Sequence, residues 1–175
     1  MALSSSRLTY RQPEPADLTR LFEIYGDPRT QQFNPAGPLV SINDAQDVLD
    51  TWLAHWQEHG FGWWAIAQRE LPETVIGFGG IAHYNYGGEP RLNLGYRFAV
   101  EAWGKGFATE LGATAISHAF ESLGVERIWA LVRPSHSASI NVLEKLSMKH
   151  CGYLDDVPGQ APSLVYARDH LLEPD

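Results

Sequence analysis

Cysteine is nearly absent. Cys151 is the only one in 175 residues, so no internal disulfide can form and a disulfide-stapled secreted scaffold is excluded. Cys151 is expected to be an inert strand residue, because a nucleophilic thiol needs a basic neighbour. Long apolar runs are missing as well. The longest are short, such as Ile128 to Val132, far below the roughly 20 residues of a membrane-spanning helix. Met1 to Ser6 carry no basic stretch leading into an apolar core, so no secretory leader is expected. These absences together imply a cytoplasmic protein with no membrane partner. No Lys/Arg cluster offsets the net charge of -8, which arises from 13 basic and 21 acidic residues. Nucleic acid is therefore disfavoured as a partner, and a cationic substrate such as an amine is weakly favoured. Repeats, low-complexity tracts and linkers are also absent.

What is present is core-forming material, with 44% hydrophobic and 11% aromatic residues. The length suits one domain over residues 1–175. Leu8 to Arg11 has a strand pattern, and Ala16 to Tyr25 places Leu18, Leu21, Phe22 and Tyr25 at helical spacing. Phe33 to Leu39 is expected to be loop. Ser41 with Asp44 three residues on starts a second helix, whose Ala45, Val48, Leu49, Trp52, Leu53 and Trp56 share one face before Gly60 closes it. His55 and His59 on that helix have zinc-ligand spacing. Trp56, however, stands where a metalloprotease motif has glutamate, and no third ligand is evident in the sequence. No metal is therefore expected.

Strands follow at Trp63–Gln68, Val75–Ala82 and Leu92–Phe98. A helix from Lys105 to Ser122, a strand at Arg127–Val132 and a helix from Ser135 to about Leu146 come next. Two last strands occupy Met148–Leu154 and Ser163–His170. The order β-α-α-β-β-β-α-β-α-β-β implies an α/β (α+β) fold, one mixed sheet covered by helices.

The segment Val100-Glu101-Ala102-Trp103-Gly104-Lys105-Gly106-Phe107-Ala108-Thr109-Glu110 joins a strand to a helix. Glycines permit close backbone approach. The first-turn amides of a helix have no internal partner, and the helix dipole is positive at that end. A strand, a glycine turn and a helix start make an anion site, and a chain of net negative charge needs such a local site to hold an anionic cofactor. A Rossmann reading fails, because Thr109 stands where the third glycine of GxGxxG belongs and the segment lies past mid-chain. A plain strand-to-helix turn remains the competing reading of this segment alone.

The stretch Trp103 to Glu110 resembles the acetyl-CoA motif of the GNAT superfamily, Gln/Arg-x-x-Gly-x-Gly/Ala, with Trp103, Gly106 and Ala108 in the matching places. Tryptophan in the first place is similar to the branch that contains the ribosomal-protein N-terminal acetyltransferases. Asn93-Leu94-Gly95-Tyr96 resembles the Ile-Gly-Tyr strand that precedes the motif there. His136-Ser137-Ala138-Ser139-Ile140-Asn141-Val142-Leu143-Glu144-Lys145-Leu146 is similar to the branch's Asn-x-x-Ser-x-x-Val-Leu-Glu-Lys-Leu helix. The resemblance runs over most of the chain.

The resemblance implies a mostly antiparallel mixed sheet splayed between its fourth and fifth strands. It implies acetyl-CoA as cosubstrate, with its pantetheine arm along Phe98, Ala99 and Val100 and its pyrophosphate on Gly104, Lys105, Gly106, Phe107, Ala108 and Thr109. It further implies Ser139 near the thioester sulfur, with Leu143 standing where many members carry a tyrosine acid. His136 replaces the family's asparagine beside the cofactor and makes binding pH-sensitive, Ser147-Met148 replaces Gly-Phe, and Asn93 stands where relatives carry a glutamate base, although an amide accepts no proton. His83, Glu89 and Tyr96 are the candidates for the base. The expected activity is acetyl transfer to an amine, either a protein N-terminus or a small molecule. A CoA-binding protein of the same fold without catalysis is the alternative, and an unrelated α/β domain a third.

Overall fold

The computed structural model describes residues 3–171. Eight strands form one sheet: β1 (Leu3–Ser4), β2 (Leu8–Arg11), β3 (Trp63–Gln68), β4 (Leu71–Tyr86), β5 (Glu89–Phe98), β6 (Arg127–Val132), β7 (Lys149–Leu154) and β8 (Ser163–Asp169). Their spatial order is β1-β2-β3-β4-β5-β6-β8-β7. Four helices cover it: α1 (Leu18–Tyr25), α2 (Ile42–His59), α3 (Phe107–Glu121) and α4 (Ser137–Lys145). All neighbouring strands are antiparallel except β5 and β6, which are parallel and share the one register pair Asn93 and Trp129. Beyond that pair the two strands part. This is the expected splay; the additional strand β1 shifts it to the fifth and sixth strands.

Alternation within the strands sends side chains to two cores. On one face Leu8, Tyr10, Trp64, Ile66, Ile81 and Leu94 pack with Phe107, Leu111 and Ala115 of α3 and Leu143 of α4. On the other, Ala65, Val75 and Phe78 pack with Leu21 and Ile24 of α1 and Ala45 and Leu49 of α2. Gly95 has a packing reason, since a Cβ there would run into the Trp63 indole.

The helix ends follow their chemistry. Ser41 Oγ accepts from the Asp44 amide at 3.1 Å, and Gly60 takes the left-handed conformation that ends α2. The end of α4 is a Schellman turn: Met148 N–H donates to Leu143 O and Ser147 N–H to Glu144 O, both at 3.0 Å. Ser147 holds the left-handed position, φ 61°, where the resemblance places glycine.

Several boundaries differ from expectation. β4 and β5 run on to Tyr86 and Glu89, with Gly87 and Gly88 making the turn at positive φ. His83 and Glu89 are therefore strand residues, because the hairpin keeps its ladder to the last pair, Tyr86 with Glu89. The last helix begins at Ser137; His136, not Ser135, occupies the cap and gives no side-chain hydrogen bond. The first expected helix opens as a 3-10 turn at Pro15–Asp17 before α1 proper.

Candidate active site

Where β5 and β6 part, a cavity of about 520 Å³ is lined by the end of β5, the start of α3 and the start of α4. At its α3 end, Gly104 and Gly106 hold φ of 73° and 78°, which lets the chain double back onto the helix. The first α3 amide with an internal partner is Glu110 N–H, bonded to Gly106 O at 3.1 Å, so the Phe107, Ala108 and Thr109 amides precede the helix's own ladder. Arg29, Arg97, Lys145 and His136 line the same cavity, and no carboxylate does. A chain of net charge -8 thus keeps this hollow locally basic through Arg97 and Lys145, with Arg29 shared with Asp27. Orphan helix amides, a positive dipole end and basic side chains fit a polyanionic cofactor tail.

The turn is braced from behind. Glu110 accepts from the Arg7 amide and guanidinium, both at 2.8 Å, and from Ser5 Oγ at 2.6 Å. Burial opposes its ionisation, but these donors outweigh it and hold the carboxyl below its ordinary range. Arg7 also donates to Lys105 O at 2.7 Å and lies 4.6 Å from the centre of the Phe107 ring. Trp103 Nε1 donates to Phe98 O at 3.0 Å, tying the turn to the end of β5.

At the other end of the cavity, the hydroxyls of Tyr96 on β5 and Ser139 on α4 stand 2.8 Å apart. Burial raises the Tyr96 pKa, partly opposed by the bond to Ser139, so the phenol keeps its proton at neutral pH. His136 stacks on Phe33, ring centroids 4.0 Å apart and 13° from parallel. Burial, then the Arg97 charge, lower its pKa, so the imidazole is neutral at pH 7.

Of the residues expected from the sequence, Tyr96, Phe98, Gly104, Gly106, Phe107, Ala108, Thr109, His136 and Ser139 line this one cavity; Ala99, Val100, Lys105 and Leu143 do not. Ala99 and Val100 turn away into a 3-10 turn, where Ala99 N–H donates to Ile76 O at 2.8 Å. Leu143 is buried in the core between α4 and the sheet. His83 and Glu89 lie outside the cavity. Glu89 is exposed and pairs with Arg91 at 3.2 Å, while His83 meets the end of α2. Asn93 accepts from Tyr86 Oη.

Sequence reasoning missed the Arg7–Glu110 brace, whose partners are far apart in the chain. It also missed the Tyr96–Ser139 contact, which a serine and a tyrosine on separate motifs did not announce. Arg29, Thr30 and Phe33 reach the cavity from the segment after α1. Phe33 lies in the loop expected at Phe33 to Leu39, while Arg29 and Thr30 gave no sequence signal.

Residues 7–149 match the family model described as an acetyltransferase (GNAT) domain. The chain is 31% identical over 156 residues to the uncharacterized N-acetyltransferase p20 of Bacillus licheniformis, covering 88% of this chain and 85% of that one. Two solved structures share the fold. One is a ribosomal L7/L12 alpha-N-protein acetyltransferase, RimL, in complex with coenzyme A (TM-score 0.79, 15% identity, 97% and 98% of the two chains). The other is spermidine N-acetyltransferase from Vibrio cholerae in complex with CoA and spermine (TM-score 0.77, 18% identity, 95% and 97%).

Proposed function

This chain belongs to the acetyltransferase (GNAT) family, and from that premise we propose that it transfers the acetyl group of acetyl-CoA to an amine inside the cavity between β5 and β6. The observation that carries the reading is that one cavity joins an anion-binding helix start to a paired hydroxyl donor. Bound acetyl-CoA supplies the thioester. The amides of Phe107 to Thr109 would hold its phosphates, and Phe98, His136 and Ser139 would flank its arm.

The chain's own part is positioning and proton supply. Attack forms a C–N bond and the amine nitrogen releases one proton to water, cleavage breaks the C–S bond, and the sulfur leaves as a thiolate unless it is given a proton. Ser139 donates that proton as the charge develops, and Tyr96, kept protonated by burial, replaces it through their shared hydrogen bond. The route is re-set when Tyr96 regains a proton from solvent. This pair favours catalysis over a CoA-binding protein that has lost it: a purely binding pocket has no use for two hydroxyls coupled at the thioester end.

The amine class is a protein N-terminus or a small amine. RimL and the spermidine enzyme illustrate both classes on this fold by name. Among the lining residues no carboxylate is available to hold a polycation, which favours an acceptor with one reacting amine over a polyamine, and with it the ribosomal-protein-like branch. The test is a panel of peptide N-termini, amino acids and polyamines with acetyl-CoA, followed by free-thiol detection. Thiol release that depends on one of these amines supports the reading; acetyl-CoA binding with no amine-dependent release returns the chain to the binding-protein alternative.

A further inference from the structure

The C-terminal turn of α2 and the far half of β4 meet away from the cavity just described. β3 begins at Trp63, paired with Gly80, so past Gly80 the β3-side edge of β4 has no strand beside it. The end of α2 fills that place. His55 and His59, one turn apart on α2, reach across to His83 on β4. Ring centroids are 4.5 Å apart for His55 and His59, 4.3 Å for His59 and His83 and 5.5 Å for His55 and His83. One ring nitrogen from each of the three can be chosen so that all lie within 4.8 Å of one another. His83 is the third ligand that the sequence spacing lacked.

We propose that His55, His59 and His83 form a three-imidazole site for a divalent transition-metal ion of the zinc class, clipping the end of α2 to β4. The donor set decides the class. Neutral nitrogen ligands suit zinc, copper, nickel and cobalt, and not calcium or magnesium, which take oxygen. His55 is already oriented. Its Nδ1 lies 2.9 Å from Phe61 O, and a carbonyl only accepts, so Nδ1 carries the proton and Nε2 presents its lone pair. A backbone carbonyl behind a metal-binding imidazole is the usual outer support of such a ligand. The Phe61 ring stands 5.3 Å from His55 and 5.6 Å from His83 and makes an apolar wall on one side. Glu58, whose carboxylate is 3.7 Å from His59 Nε2, adds negative charge beside the cluster, and water takes the fourth ligand position.

Two adjustments are required. His55 Nε2 now accepts from the His83 backbone N–H at 3.0 Å and lies 3.3 Å from His83 Nδ1. An ion takes over that lone pair and leaves the exposed amide to water, a small loss beside three metal–nitrogen bonds. Ligand atoms around tetrahedral zinc with bonds of about 2.0–2.1 Å stand roughly 3.4 Å apart, so the rings close in by about 1 Å. His59 and His83 are exposed and have room to turn.

The experiment uses the full chain without a histidine tag, stripped with chelator. Cobalt(II) is titrated in while its visible absorption is recorded, zinc is then added in competition, and the thermal midpoint is measured with and without zinc. The expected result is one saturable site per chain, an intense cobalt band that zinc abolishes, and a zinc-dependent rise in the midpoint. His83→Ala and His59→Ala should each weaken zinc affinity by about 100-fold or more and remove the rise. His150→Ala, an exposed histidine on β7, should change neither. Absence of a saturable one-to-one site overturns the proposal, as does an affinity left intact by His83→Ala or lost equally in the His150→Ala control. Because the readouts need neither acetyl-CoA nor an amine, a failure here leaves the acetyltransferase reading untouched, and the converse holds.

Discussion

At the scale of single residues the account rests on three side chains in one hollow. In the proposed proton route Tyr96 acts through Ser139, so removing its hydroxyl leaves the direct donor in place. Tyr96→Phe should lower kcat roughly tenfold, less than the 10²–10⁴ of a group that transfers the proton itself, while KM for acetyl-CoA changes little; steady-state kinetics check both. His136 makes a pH prediction. Its pKa is lowered by burial and by Arg97, so it stays neutral from alkaline pH down to about 6.5 and gains its proton only below that value. Added positive charge in an anion-binding cavity should then tighten acetyl-CoA, by up to about tenfold, as pH falls below about 6.5. Calorimetry across the pH range should show this slope in the wild type, with a flatter profile in His136→Asn. The residue identities were legible in the motifs, but their partnerships were not. The stacking of His136 on Phe33 and the bond from Tyr96 to Ser139 depend on how three separate elements meet, and no local spacing encodes that.

At the scale of elements, α3 and α4 carry the site and each makes a prediction. Ala108 lies in the first turn of α3, half-buried and facing the cavity. Glutamate is well tolerated at a helix start, so Ala108→Glu should fold normally yet put a side chain and a negative charge where the phosphates lie. Acetyl-CoA should no longer raise its thermal midpoint; a full shift in a folded variant would remove the phosphates from this helix. At the end of α4, Ser147 sits at φ 61°, which is costly for a residue with a Cβ and easy for glycine. Ser147→Gly should stabilise the chain by roughly 0.5–1 kcal/mol in urea denaturation with little change in kcat. The elements themselves were the most legible feature. The Ser41 cap and the Gly60 stop each act within one turn of chain, and the apolar stripe of α2 repeats at helical spacing between them, so sequence alone placed that helix to the residue. Strand ends were less legible. Whether β4 stops at Ala82 or continues to Tyr86 is decided by its neighbour across the hairpin, not by its own residues. The short β1 carries no pattern at all and exists because β2 offers an edge.

At the scale of the whole molecule, the sheet does two things at once. It holds two independent cores apart on its faces, and at its parallel junction it opens into a cavity bordered by Phe98, Ala102 and Phe107 of the first. The net negative charge repels polyanions from the surface in general, while helix amides, Arg29, Arg97 and Lys145 reverse the sign in this cavity; the glycine turn and helix start were legible in the sequence, but the basic side chains that join them came only from the fold. The central claim is that this cavity is a catalytic site whose thioester end is Ser139. The measurement that tests it most directly is turnover of acetyl-CoA with a productive amine by Ser139→Ala beside the wild type, together with acetyl-CoA affinity by calorimetry. The account predicts kcat lower by about 10²-fold with affinity nearly unchanged, since the hydroxyl matters most as the thiolate forms. Undiminished turnover in the variant, or a loss confined to affinity, would contradict it.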